Sequence, residues 1–533
     1  MRRFTAPALL VALLCTGPLA QAAGSLVYCS EASPAGFDPA QYTSGTEFDA
    51  SAETVFNRLV QFQRGGTTLE PGLATAWDIS PDGKVYTFHL RQGVHFHTTA
   101  YFTPSRDFNA DDVLFTFERM LDNAQPFRKA YPAEFPYFTD MGLDQNITSV
   151  SKTDAYTVVF SLKQPDAAFT ADLAMSFASV QSAEYAAQLL AAGKPEQLNQ
   201  QPVGTGPFVF NRYQKDAVIR FDGNRHYWKP EDVQLDHLIF AITPDPATRL
   251  QKLKTGECQV SGYARPVDLA EIKKDPALKV LEQPGFNVGF LAYNIQHPPL
   301  DNPSVRQALD MAINKQAIIS TVFQGAGQVA QNVIPPNQWS YDATIQGAPY
   351  DPEKAKQLLE AAGVKPGTEI NLWAMTVQRA SNPNARLSAQ MIQQDWAKVG
   401  VKANIVSYEW GEYIKRAKAG EHDVLTYGWT GDNGDPDNWL GVLYSCASIG
   451  GSNYARWCDK NYDALIEKAR LSADRGERTR LYQQAQKILR EQMPVSPMAH
   501  SVVAQPMRKN VEGFKINPFG VTGFYGVSLG TSD

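Results

Sequence analysis

The hydrophobic and polar positions of the chain follow two different patterns. Up to about residue 284, short runs of β-branched and aromatic residues are bounded by turn residues, as at Val85–Leu90 after Pro81-Asp82-Gly83 and at 156–160 before Gln164-Pro165-Asp166. Such runs are typical of β-strands. From about residue 287, helical and strand patterns alternate. The sequence therefore predicts an α+β part followed by an α/β part.

Two helices of the second part are marked by their first residues. Asn302 and Asp351 each precede a proline, and an N-cap residue followed by proline at the first helical position is a common helix start. The apolar residues after Asn302 follow the i, i+3, i+4, i+7, i+8 spacing of one helical face. The second pattern stops at Gly363, a residue type that often ends helices. Both segments are predicted to be helices with one buried face.

The stretch after Gly363 predicts a small parallel sheet. We predict strands at 369–375, 401–408 and 423–429, with helices at 385–399 and 412–419 between them. Strands joined through helices in this order pair in parallel through right-handed crossovers. Ligands of open α/β sheets lie beyond the carboxyl ends of the strands. The loops that follow the first and third strands are therefore the candidate site.

These two loops carry opposite charges. The first, 377–384, contains Arg379, and the other, 430–438, contains Asp432. A guanidinium binds a carboxylate through two parallel hydrogen bonds, and an aspartate accepts hydrogen bonds from an ammonium group. A zwitterion would satisfy both. The alternative is that Arg379 and Asp432 pair with each other or face water.

Composition and charge exclude some classes of protein. With 43% hydrophobic residues in 533, the chain can fill more than one core, which argues against disorder. Its formal net charge is −6, and it has no basic block. Because such a surface repels a nucleic-acid backbone on average, no nucleic-acid partner is expected.

The first 22 residues have the pattern of a secretory signal peptide. Arg2 and Arg3 give a positive start, a short apolar stretch follows, and Ala20-Gln21-Ala22 offers the small residues that signal peptidase requires. We predict cleavage after Ala22 and a soluble mature chain in an oxidising compartment. Lipid attachment at Cys15 is the alternative, but a bulky leucine precedes this cysteine.

Four cysteines remain after the predicted cleavage, and they allow three pairings. The local pairing of Cys446 with Cys458 would close a loop of about a dozen residues and leave Cys29 to pair with Cys258. Four free thiols are the alternative. No two of these cysteines have the close spacing of a zinc site.

The common catalytic signatures are absent from the sequence, and no cofactor is predicted. A hydrolase that uses the loop carboxylates Asp432, Asp435 and Asp437 stays an alternative, as does a structural or chaperone-like protein without a small ligand. His95 and His97 share one face of a strand, but no third metal ligand lies nearby in the sequence.

Several longer motifs occur together along the chain. They are Leu26-Val27-Tyr28-Cys29-Ser30-Glu31, Pro71-Gly72-Leu73-Ala74 with Trp77, Thr87-Phe88-His89-Leu90-Arg91, Asn109-Ala110-Asp111-Asp112-Val113, Gly204-Thr205-Gly206-Pro207-Phe208, Val305-Arg306-Gln307-Ala308-Leu309 and Trp429-Thr430-Gly431-Asp432-Asn433-Gly434-Asp435-Pro436-Asp437. In this order they resemble the peptide-binding solute receptors of ABC importers, the peptide/nickel solute-binding family 5. The resemblance covers essentially the whole chain after residue 22.

The resemblance implies an α/β periplasmic-binding-protein fold of class II, cluster C type, with two lobes and an extra subdomain in the first lobe. Lobe I would comprise residues 23–284 and 502–533, with the subdomain inserted at about 58–203. Lobe II would comprise 285–501. The family's disulfide pairs match Cys29 with Cys258 and Cys446 with Cys458.

The resemblance also implies a function and a set of site residues. Such a receptor captures dipeptides between its lobes in the periplasm and delivers them, as a monomer, to the permease subunits of an inner-membrane ABC transporter. Asp432 would bind the peptide's α-ammonium group and Arg379 its α-carboxylate. The main chain of the peptide would be bound by Thr43, Ser44, Gly45, Thr46 and the backbone around Trp429 and Gly431.

Overall fold

The computed structural model describes residues 24–376 and 378–530. The predicted signal peptide, its cleavage after Ala22 and the alternative lipid site at Cys15 lie outside the described residues. Within them, no helix combines the length and the apolar character that crossing a membrane requires.

The strands of the described residues fall into one large sheet and three small ones. Their bounds are β1 Ser25–Ser30, β2 Val60–Phe62, β3 Leu69–Pro71, β4 Ala74–Ile79, β5 Val85–Leu90, β6 Ile147–Asp154, β7 Thr157–Leu162, β8 Phe208–Gln214, β9 Val218–Gly223, β10 His237–Ile242, β11 Val260–Ser261, β12 Leu278–Pro284, β13 Asn287–Tyr293, β14 Gly327–Val329, β15 Thr368–Trp373, β16 Val401–Val406, β17 Val424–Thr430, β18 Val495–Arg508, β19 Val511–Glu512 and β20 Ser528–Leu529.

The α-helices lie between these strands, and the two longest of them, α13 and α17, are in the second half of the chain. Their bounds are α1 Gly45–Ala50, α2 Ala110–Leu121, α3 Pro126–Ala130, α4 Pro136–Asp140, α5 Leu143–Asn146, α6 Phe169–Asp172, α7 Ala183–Ala191, α8 Pro246–Thr255, α9 Pro266–Ile272, α10 Pro303–Met311, α11 Lys315–Ile318, α12 Pro352–Ala361, α13 Ala385–Lys398, α14 Trp410–Ala419, α15 Asp437–Tyr444, α16 Lys460–Leu471 and α17 Arg475–Gln492.

One mixed sheet of 12 strands runs through the protein. Its order is β16, β15, β17, β13, β18, β11, β1, β10, β9, β8, and β12 and β14 also pair with β18. β18 is 14 residues long, and its two ends pair with different neighbours. Its first part is antiparallel to β13, with Gly289 opposite Ala499, and its second part is antiparallel to β12, with Pro284 opposite Val502. Two adjacent segments of chain therefore connect the two halves of this sheet.

Hydrogen bonds fix the crossing of these two segments. The Gly285 amide donates to the Ser501 carbonyl at 2.8 Å. The Asn287 side chain donates to Ser501 Oγ at 2.8 Å and accepts from the Ser501 amide at 3.2 Å. Because Asn287 and Ser501 are buried, these bonds satisfy polar groups that water does not reach.

A separate four-stranded antiparallel sheet, in the order β4, β5, β7, β6, has an aromatic core of its own. Phe160 of this sheet packs edge-on against Phe88, with ring centroids 5.7 Å apart, and against Phe117 of α2 at 4.9 Å. These buried rings belong to an apolar cluster drawn only from residues 40–203.

The structure confirms the secondary structure predicted around the candidate site. Asn302 and Asp351 cap α10 and α12 through side-chain oxygens that accept backbone N–H groups at 2.9 Å. β15 pairs in parallel with both β16 and β17. β17 also pairs with β13, but in antiparallel orientation, so the large sheet is mixed.

Both disulfides are present, and the alternative of four free thiols is wrong. Cys29 is bonded to Cys258, with their Cα atoms 5.8 Å apart, and Cys446 to Cys458, with their Cα atoms 4.5 Å apart. The first bond joins β1 to the turn before β11, and the second closes the local loop after α15.

Candidate functional site

Arg379 lies in a tight turn between β15 and α13. Its backbone amide donates to the Asn382 carbonyl at 3.3 Å, and the Asn382 amide donates back at 3.1 Å. Asn384 then caps α13, because its Oδ1 accepts from the Leu387 amide at 3.0 Å. The guanidinium of Arg379 is exposed and donates through Nη1 to the Gln378 carbonyl at 3.0 Å.

Two glycines of the sheet hold this turn in place. A β-carbon at Gly289 of β13 would overlap the Ser381 carbonyl, and one at Gly428 of β17 would overlap the Ser381 hydroxyl. Only glycine allows so close an approach of two backbones. The turn that carries Arg379 is therefore seated on the same strands that lead to Asp432.

Asp432 follows the end of β17 in a loop organised by Asn438. The Asn438 Oδ1 accepts from the Asp432 amide at 3.1 Å and from Trp429 Nε1 at 3.0 Å. The Gly431 amide donates to the Phe286 carbonyl at 2.9 Å, and a β-carbon at Gly431 would overlap the Trp439 indole. The backbone around residues 429–432 is thus fixed from both sides.

The Asp432 side chain meets the first half of the chain. Its Oδ1 accepts a hydrogen bond from the Tyr137 hydroxyl of α4 at 3.0 Å. Burial raises the pKa of Asp432 to about 7, although hydrogen bonds from Tyr137 and Asn438 oppose the shift. A carboxylate in such a place is stabilised by a cation, which would return the pKa toward its ordinary value.

Tyr427 connects the two charged residues. Burial raises the pKa of this phenol, and a hydrogen bond with Tyr454 and the charge of Arg379 oppose the rise, whereas the charge of Asp432 adds to it. Both Arg379 and Asp432 are therefore within electrostatic range of one hydroxyl group. The loops after β15 and β17 follow the carboxyl ends of two strands paired in parallel, so both leave the sheet at the edge near Tyr427.

Residues 43–46 reach the same region from the first half of the chain. Thr43 and Ser44 are exposed, and the Thr46 hydroxyl donates to Glu31 Oε1 at 2.8 Å. A β-carbon at Gly45 would lie 3.6 Å from the Tyr263 hydroxyl. Burial and the charges of nearby carboxylates, Glu31 first among them, raise the pKa of Tyr263, and Arg379 lowers it. Tyr263 thus lies close to this segment and within electrostatic range of Arg379.

The other acids of the second loop have structural partners. Asp435 Oδ1 accepts from Arg478 Nη2 at 2.8 Å and from the Asp437 amide at 3.0 Å. Asp437 Oδ1 accepts from Arg470 Nε at 2.8 Å. Carboxylates held by arginines in this way stabilise the loop and are poorly placed to act as a catalytic pair.

The two histidines considered as metal ligands lie after the end of β5 in a segment that is not a strand, so the expectation that they share one face of a strand is wrong, and they have different partners. His95 Nδ1 lies 2.6 Å from Asp107 Oδ1 at the surface. His97 is buried and its Nε2 donates to the Gly206 carbonyl at 2.9 Å, while burial lowers the pKa of its imidazole to about 4. In the part of the chain that the structure describes, no three His, Cys, Asp or Glu residues are grouped as metal ligands.

Comparison with known proteins identifies the class of this protein. The family model described as bacterial extracellular solute-binding proteins, family 5 Middle, matches residues 68–451. The chain belongs to this family of solute-binding proteins.

Individual relatives match over nearly their whole length. The chain is 64% identical to di/tripeptide-binding protein 1 of Pseudomonas aeruginosa strain UCBPP-PA14, with 98% of each chain covered, and 64% identical to the dipeptide-binding protein of Pseudomonas aeruginosa strain PAO1, with 97% of each covered. It is also similar to a solved structure, the dipeptide-binding protein of Pseudoalteromonas sp. SM9913 in complex with Met-Leu. That match has a TM-score of 0.87 and 40% identity, and it covers 95% of this chain and 100% of the other.

These matches decide between several of the alternatives left open by the sequence. The two-lobed α/β fold implied by the resemblance is confirmed, and the chain is a solute-binding protein of a non-enzymatic family whose members work outside the cytoplasmic membrane. The hydrolase alternative is not supported.

Proposed function

We propose that this protein captures dipeptides in the periplasm between its two lobes and, as a monomer, delivers them to the inner-membrane permease of an ABC importer. The names of its relatives and the peptide bound to a similar structure support this proposal. The observation that carries it is that Arg379 and Asp432, on the loops after β15 and β17, both lie within electrostatic range of Tyr427. No cofactor takes part.

In this proposal Asp432 binds the peptide's α-ammonium group and Arg379 its α-carboxylate. A cation would compensate the part-buried carboxylate beside Tyr137, and a guanidinium matches a carboxylate in shape and charge. The peptide main chain is bound by Thr43, Ser44, Gly45, Thr46 and the backbone around Trp429 and Gly431.

We further propose that lobe I consists of residues 23–284 and 502–533, with a subdomain at about 58–203, and lobe II of residues 285–501. The change of strand partners along β18, between Ala499 and Val502, supports a hinge at this place. The separate aromatic core within residues 40–203 supports the inserted subdomain.

Two fixed receptors for end groups select ligands by length. An added residue lengthens an extended peptide by about 3.3–3.6 Å, so one terminal charge would pass its receptor or be buried without a partner. Bonds to the peptide main chain are indifferent to side chains. The site is therefore expected to accept many sequences but chiefly one length.

Calorimetry with capped peptides tests this proposal. Ala-Ala is expected to bind, whereas N-acetyl-Ala-Ala and Ala-Ala-amide are each expected to bind about a hundredfold more weakly, because each lacks one terminal charge and leaves a protein charge unpaired. N-acetyl-Ala-Ala-amide serves as the doubly capped control. Equal affinity of the capped and free peptides would refute the assignment of the end-group receptors.

The pKa of Asp432 predicts how dipeptide binding depends on pH. Binding an ammonium requires an ionised carboxylate, and this group titrates near pH 7 in the unliganded protein. Affinity is therefore expected to fall as the pH drops below 7, with the titration of Asp432 by itself contributing about tenfold per pH unit, and to fall again above about pH 8 as the peptide's amino group loses its proton. Titrations between pH 5 and 9 measure this profile. Constant affinity from pH 7 down to pH 5 would contradict it.

A further inference from the structure

A polar cavity lies behind the loop that carries Asp432. Its volume is about 310 Å³, and it opens between residues 141–172 of the first half and residues 433–470 of the second. Neither Arg379 nor Asp432 lines it. This cavity therefore belongs to the interface between the two halves and is separate from the proposed dipeptide site.

Direct hydrogen bonds cross this interface beside the cavity. Asn433 Nδ2 donates to Asp172 Oδ1 at 2.6 Å, and both side chains are buried. The backbone amide of Ala167 donates to the Arg470 carbonyl at 2.9 Å. If the lobes separate about the proposed hinge, both bonds must break, and water enters around Asp172.

The surroundings of the cavity contain more carboxylates than cations. Asp166 and Asp172 face Asp435 and Asp437 of the other half. The cations of the region are Arg470, which binds Asp437, Arg478, which binds Asp435, and Lys163, which is exposed at the cavity rim. Arg470 also lowers the pKa of Asp166, and the Tyr86 hydroxyl of β5 donates to the Asp166 carbonyl at 2.9 Å. Asp166 and Asp172 still repel each other, because the acids around them outnumber the cations.

Burial and mutual repulsion make the carboxyl groups of Asp166 and Asp172 easier to protonate. Burial, and then repulsion from Asp437, raises the pKa of Asp166 to about 6. Burial, and then repulsion from Asp166, raises the pKa of Asp172 well above its ordinary value, although the bond from Asn433 opposes this. In an open form, water would surround both groups and return each pKa toward its ordinary value near 4.

We propose that Asp172, Asp166 and Asn433 form a proton-operated latch that closes the two lobes when the Asp166–Asp172 pair holds a proton. This inference rests on the lobe closure of the proposed function. Closing takes up a proton, so the closed form is favoured at low pH and loses stability as the pH rises through about 6. A difference of about two pKa units corresponds to roughly a fiftyfold fall in the closed-to-open ratio from pH 4 to pH 7.

Two substitutions that nearly preserve the shape of the side chain test the latch, because one is expected to favour the closed form and the other the open form. Asp172→Asn keeps an oxygen to accept the bond from Asn433 but needs no proton, so at pH 7.5 this variant is expected to be more closed than the wild type. Asn433→Asp places another carboxylate against Asp172, so it is expected to be more open at pH 7.5 and to close again at acid pH. Asp395→Asn is the control, because Asp395 is buried within the second half and bonds to the Asn314 amide at 2.9 Å.

Closure is measured without peptide, as the radius of gyration from small-angle X-ray scattering between pH 5 and 8, and dipeptide affinity is measured in parallel. Asp172→Asn should flatten the dependence of the radius of gyration on pH and tighten dipeptide binding about tenfold at pH 7.5. Asn433→Asp should weaken dipeptide binding about tenfold at the same pH. Asp432 titrates in wild type and variants alike, so the difference between their pH profiles isolates the latch.

A scattering profile of Asp172→Asn equal to that of the wild type and the control would overturn the inference. If the wild type binds no dipeptide, the proposed function fails, and the scattering profile still decides on the latch.

Discussion

Replacing Asp432 with asparagine is expected to weaken dipeptide binding by about 3 kcal/mol, or roughly 150-fold at pH 7.5. The carboxylate is part-buried beside Tyr137, where an ammonium group loses water on binding. Without the negative charge, this ammonium would be desolvated with no ionic partner. Isothermal titration calorimetry with Ala-Ala gives the difference directly.

Asparagine is a better test than alanine because its side chain keeps an oxygen that can accept from the Tyr137 hydroxyl. The hydrogen bond from the backbone amide of residue 432 to Asn438 Oδ1 is also kept. A change of charge is thus tested without a change of shape. Tyr137→Phe is the matched control, which removes one neutral hydrogen bond to the same carboxylate and should cost less than about tenfold. Asp432→Asn should also abolish the loss of affinity below pH 7. Binding by Asp432→Asn within threefold of the wild type would contradict the role of this residue.

The parts of the fold that local signals determine could be predicted from the sequence. α10 and α12 begin at an asparagine or aspartate followed by proline, and such caps act within one helical turn. The alternation from β15 to β17 predicted parallel pairing, because short connections through helices allow few other arrangements.

The long strand β18 shows why the rest could not be predicted in the same way. It contains Pro497 and Pro506, which lower the strand propensity of this segment. Its stability comes from pairing with β12 and β13, which lie about 200 residues earlier in the chain. No pattern within the segment itself reports such distant partners, so the crossing at Ser501 was implied only by family resemblance.

The residues of the candidate site also fall into those that the sequence could predict and those that it could not. The charges of Arg379 and Asp432 stand out in the sequence because each follows a predicted strand. The phenols of Tyr137, Tyr263 and Tyr427 were missed, since they come from three distant elements and converge only in the folded chain. Positions such as Gly428 give a weak signal, because glycine within a strand often marks a close backbone approach.

Replacing Arg379 with alanine is expected to weaken Ala-Ala binding by about 3 kcal/mol, because the peptide carboxylate would be enclosed without a cation. The turn around Arg379 should persist, since its backbone bonds to Asn382 and the contacts of Ser381 with the sheet do not use the guanidinium. Arg386→Ala, which removes an exposed arginine from the first turn of α13, is the matched control and should bind as the wild type does.

The same variant tests whether peptide length is selected by two end-group receptors. In the wild type, Ala-Ala-Ala is expected to bind more weakly than Ala-Ala, because its carboxylate lies about 3.3–3.6 Å beyond the position that suits Arg379. When the guanidinium is removed, neither peptide has a cation for its carboxylate, so the ratio of the two affinities should approach one. A ratio in Arg379→Ala equal to that of the wild type would mean that the shape of the cavity selects length, and that Arg379 contributes affinity alone.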